Sequence, residues 1–89
     1  MELVVVERVL DRPHSFAELE SKERSAASCF NLQQVRPLRR YFSKDRKRLI
    51  CLYEAPDAEA VRSANRKAGL PFESVWSADV FYPGTDNQT

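Results

Sequence analysis

Eighty-nine residues, 43% hydrophobic and 30% charged, suffice for one domain with a modest core and leave no room for a second. Fourteen Lys and Arg against thirteen Asp and Glu give a net charge of +1, which argues against a general polyanion binder. No apolar run could span a bilayer, and Met1–Glu7 lacks the basic start of a signal peptide; the expected location is the cytoplasm, with Cys29 and Cys51 as reduced thiols.

Leu3–Leu10 carries β-branched residues on both faces until Glu7 and Arg8 interrupt, which predicts a strand in the middle of a sheet. Asp11–His14 reads as a turn. Ser15 opens a helix, and Glu18 three residues on completes a capping box, hydroxyl and carboxylate each meeting an orphan amide. Phe16, Leu19, Glu23, Ala26, Ala27 and Phe30 share one face of that helix, so a carboxylate sits within an apolar stripe. Val35–Ser43 and Lys47–Glu54 form a hairpin across Lys44–Arg46. Pro37 cannot donate to a ladder, so the first of these strands lies at an edge or is bulged. Asp57 caps a second helix ending at Lys67 or Ala68, with Gly69 as its left-handed terminator and Pro71 as a stop. Phe72–Tyr82 reads as the last strand, before Pro83-Gly84.

The order β-α-β-β-α-β, with two right-handed crossovers, yields a four-stranded antiparallel sheet with both helices on one face. Residues 1–83 form this α+β domain and 84–89 a polar tail. The other sheet face is left with Val, Leu, Tyr, Phe and Trp side chains, enough apolar surface to predict a homodimer packed sheet on sheet. The RNA-recognition module shares the element order. Its third strand, however, needs stacking aromatics and a glycine that Lys47–Tyr53 lacks, so no nucleic-acid partner is expected. No membrane partner is expected either.

Ile50-Cys51-Leu52-Tyr53-Glu54-Ala55-Pro56-Asp57-Ala58-Glu59-Ala60-Val61, then Ala68-Gly69-Leu70-Pro71, and the opening Val5-Val6-Glu7-Arg8 carry a resemblance. The chain resembles a family of small bacterial proteins of unassigned function typified by a dimeric, nickel-binding, ferredoxin-like protein. The resemblance covers nearly the whole chain before the tail and implies that fold and a dimer. It also implies nickel for members with histidines near the positions of Arg36, Asn65 and Leu70. None of these is histidine here, and nickel favours imidazole or thiolate ligands; His14 stands alone in a turn, and no metal ligand is assigned.

Glu23 is the candidate base or acceptor, because a carboxylate on an apolar face demands a partner. If the family's site geometry holds, Arg36 meets it as an anion clamp and Asn65 enters from the second helix. The alternative is a Glu–Arg pair without a ligand. Arg36 and Arg40 are expected on one side of their strand, Arg39 on the other. Cys51, Tyr53 and Trp76 complete the candidate lining, the aromatics serving otherwise as core or dimer interface. The chain reads as a ligand-binding protein for a small anionic or polar molecule, with no cofactor assigned. A cofactor-free isomerase, decarboxylase or oxygenase using Glu23 and Arg36 is the competing reading.

Overall fold

A computed structural model describes residues 1–84; the polar tail expected over 84–89 lies, beyond Gly84, outside the described residues. The elements are β1 (Glu2–Val9), α1 (Phe16–Leu32), β2 (Arg36–Phe42), β3 (Arg48–Ala55), α2 (Ala58–Ala68) and β4 (Ser74–Ala78). They form one antiparallel sheet in the order β2-β3-β1-β4, the ferredoxin-like arrangement.

β1 is central, as its unbroken Val4-Val5-Val6 run requires, and all three valines are buried. Alternation sends Val4, Val6, Leu49, Cys51, Tyr53, Ala55 and Val75 to one face. There they meet Leu19, Ala26 and Phe30 of α1 and Val61 and Ala64 of α2 in a single core, so both helices cover the same side. The opposite face carries Tyr41, Ile50 and Trp76, which are 53%, 38% and 45% exposed.

Local chemistry sets the helix ends. Ser15 Oγ accepts from the Glu18 amide at 3.1 Å while Glu18 Oε1 accepts from the Ser15 amide at 2.9 Å, closing the capping box. Arg12 adds an ion pair at 2.9 Å, and the guanidinium together with the Ser15 amide holds the Glu18 carboxyl down to about 2. α2 starts on Asp57, whose Oδ1 accepts from the Ala60 amide at 2.8 Å. It stops at Gly69, φ 70°, where the Leu70 amide reaches back to Asn65 O. The same closure ends α1, with the Val35 amide donating to Phe30 O, but the left-handed residue there is Gln34, φ 59°.

The extent of the last strand and the sides taken by Arg36 and Arg40 depart from the sequence expectation. The last strand is Ser74–Ala78 rather than Phe72–Tyr82, because among the described residues it pairs with β1 alone and Ala78 already stands opposite Leu3, one residue from the start of β1. In β2 the edge and the bulge both occur: β2 is the outer strand, and its pairing skips Leu38, with Pro37 opposite Tyr53 and Arg39 opposite Leu52. The extra residue resets the alternation. Arg36 therefore shares the bare face with Arg39 and Tyr41, whereas Arg40, opposite Cys51, turns toward the helices.

Candidate functional site

The bulge decides which cation enters the helix–sheet interface. Arg40 donates through Nη1 to Glu23 Oε2, and its Nη2 lies 3.4 Å from Glu20 Oε1. These groups are partly buried, with the Arg40 and Glu23 side chains 31% and 28% exposed. The expected pairing of Glu23 with Arg36 is thereby corrected. Arg36 lies on the other side of the sheet and pairs with Glu54 at 2.9 Å, as edge-strand charge does. With the clamp facing away, the enzyme arrangement of Glu23 and Arg36 has no common site.

A cavity of about 170 Å³ opens beside the Glu23–Arg40 pair, between α1, the bulged stretch of β2 and β3. Phe30, Val35, Cys51 and Tyr53 are buried at its floor, and Glu23 and Ala27 edge its mouth. Phe30 and Tyr53 meet edge to face, centroids 5.3 Å apart. Of the residues expected to line a site, Glu23, Cys51 and Tyr53 come together here. Arg36, Asn65 and Trp76 do not: Trp76 stands opposite Val5 on the bare face.

Asn65 belongs to a different polar cluster. It is fully buried, donating through Nδ2 to Val61 O at 2.7 Å and accepting at Oδ1 from Arg8 Nη2 at 2.7 Å. Arg8 also donates to Pro71 O at 2.9 Å and to Tyr53 Oη at 3.3 Å. Among the described residues no carboxylate pairs with this guanidinium. Burial works against its charge, yet the neighbouring Tyr53 and Cys51 leave its pKa above the ordinary arginine value. Burial also pushes the Tyr53 phenol well above its usual range. The network ties β1, β3, α2 and the turn after α2 together. Sequence reasoning missed Arg8, although period-2 alternation from Val4 and Val6 points it at the helices.

Metal donors are dispersed. His14 is buried, its Nδ1 2.8 Å from Arg12 O, and Cys29 and Cys51 are unpaired. Among the described residues no three His, Cys, Asp or Glu side chains gather where they could hold a metal ion. No described helix is long and apolar enough to cross a membrane.

The family model described as "SCO4226-like: Nickel responsive protein SCO4226-like" matches residues 5–77. The crystal structure of SCO4226 from Streptomyces coelicolor A3(2) superposes with a TM-score of 0.79 at 15% identity, covering 90% of this chain and 99% of that one. At that identity the likeness speaks for the fold. No curated protein matches the chain.

Proposed function

We propose, for a chain that belongs to the SCO4226-like family of nickel-responsive proteins, a role in binding a small organic molecule rather than nickel. One observation carries this reading: a cavity floored by Phe30, Val35, Cys51 and Tyr53 has the Glu23–Arg40 pair at its mouth. Concave, mostly apolar sites with a few convergent polar groups are where small ligands bind. The donor set does not fit a nickel centre. Imidazole and thiolate are the ligands that ion selects, and the one histidine and two cysteines are not assembled into a group.

The protein acts as a homodimer in this reading. Tyr41, Ile50 and Trp76 give the bare sheet face an apolar surface suited to a second copy. The two unpaired cysteines suit a reducing compartment, the cytoplasm.

Native mass spectrometry of the untagged protein, as purified and after adding nickel, tests the proposal. The expected species is a dimer that gains no nickel and either retains a small organic mass or accepts one on titration. Stoichiometric nickel uptake would overturn it.

A further inference from the structure

The size and charge of the cavity restrict its occupant. At about 170 Å³ it is smaller than the roughly 300–1,000 Å³ of sites that enclose drug-sized ligands. It is close to the roughly 150 Å³ of an engineered apolar cavity that stays dry and holds benzene. The floor is apolar, Phe30, Val35, Cys51 and Tyr53 with the two rings meeting edge to face, and that lining and volume suit one small ring.

Charge at the mouth offers an anion no net attraction. Arg39 and Arg40 both line the cavity; Arg39 Nη1 donates to Tyr41 Oη at 3.4 Å, and Arg40 already meets two carboxylates, Glu23 and Glu20. With Arg39 counted, the two guanidinium and two carboxylate groups carry no net charge. An incoming carboxylate would have to displace one of the protein's own from Arg40 while facing the other. Glu23 Oε1 is the acceptor that the Arg40 contact leaves over, because that contact uses Oε2. An ionised carboxylate accepts only, so it rewards a ligand that donates.

Resting on the small-molecule reading above, we propose that the cavity takes a neutral, single-ring aromatic molecule carrying one O–H or N–H donor. The ring packs on Phe30 and Tyr53, and the donor bonds to Glu23.

The test is titration of the ¹⁵N-labelled full-length protein with phenol, toluene and benzoate in parallel, read from amide shifts. Phenol is expected to shift the amides of Ala27, Val35 and Cys51 saturably, with at least tenfold preference over benzoate and several-fold over toluene. Ala27→Phe, at an exposed helix position on the rim, is expected to abolish those shifts in an otherwise native spectrum. Glu23→Gln leaves the mouth with one net positive charge and should shrink the phenol-over-benzoate preference several-fold. Benzoate binding as tightly as phenol, or toluene as tightly as phenol, would overturn the ligand class and leave the pocket standing. Phenol shifts that survive Ala27→Phe would also overturn the assignment. If none of the three compounds moves these amides, the pocket reading itself falls.

Discussion

Replacing Arg8 by Met and Asn65 by Leu, singly and together, separates a structural tie from a ligand site. Asn65→Leu removes the 2.7 Å bond from Arg8 Nη2, and a hydrogen bond to a charged group is worth about 1.5–3 kcal/mol. It also deprives Val61 O of the Asn65 amide donor. Arg8→Met keeps much of the alkyl stem's packing but leaves Asn65 Oδ1, on a side chain with no exposed surface, without its donor. A buried acceptor in that state costs about 1–3 kcal/mol. Once both polar partners are gone nothing is orphaned between them, so the double variant should lose less than the sum. The expected coupling is about 1–3 kcal/mol. Urea unfolding of the four proteins with a common m-value reads it directly. Losses that add within about 0.5 kcal/mol would refute the idea that Arg8 and Asn65 act as one buried unit.

Gln34→Gly should stabilise the protein by roughly 0.5–1 kcal/mol, because a left-handed residue with a Cβ is strained where glycine is not. That is a few degrees in Tm for a domain of this size, and an unchanged or lower Tm would count against the strain. The Glu18 carboxyl sits at about 2, against an ordinary 4.5, through Arg12 and the Ser15 amide. A depressed carboxylate contributes stability that is present above 4.5 and is lost as pH falls from there through about 2. Thermal melts of Glu18→Gln should therefore lose less Tm across that acid window than the parent, and parallel curves would contradict the assignment. Ser15→Ala removes the other half of the capping box and should cost about 1 kcal/mol, measured by the same melts; a loss under about 0.3 kcal/mol would leave the cap without energetic weight.

Signals that act within a few residues were legible in the sequence. Ser15 with Glu18, and Asp57 with Gly69, placed both helices because capping is local chemistry. The triple valine located the central strand for a similar reason: burial on both faces leaves no polar alternation. Non-local facts were not legible. β4 is shorter than its apolar content suggests because the extent of β1, far away in the chain, limits it. Pro37 announced an irregularity, but whether it inserted a residue depends on the partner strand. That insertion exchanged Arg36 for Arg40 at Glu23. Helical spacing placed Glu23 on the inner face of α1, and its position within a strand marked Cys51 for burial; the partner of Asn65 was not legible, since Arg8 lies 57 residues earlier in sequence.

The bulge at Leu38 also bears on how roles are transferred between relatives. Pro37 and Arg39 pair with adjacent residues of β3, so a relative lacking a residue there would keep the rest of its ladder. Column-by-column comparison at 15% identity has little to fix where such a gap falls. Misplacing it by a few positions assigns each residue in between to the opposite side of the sheet. A histidine counted to Arg36 could thus stand, in space, for quite another residue, and the comparison is sound only when strands are matched by their neighbours.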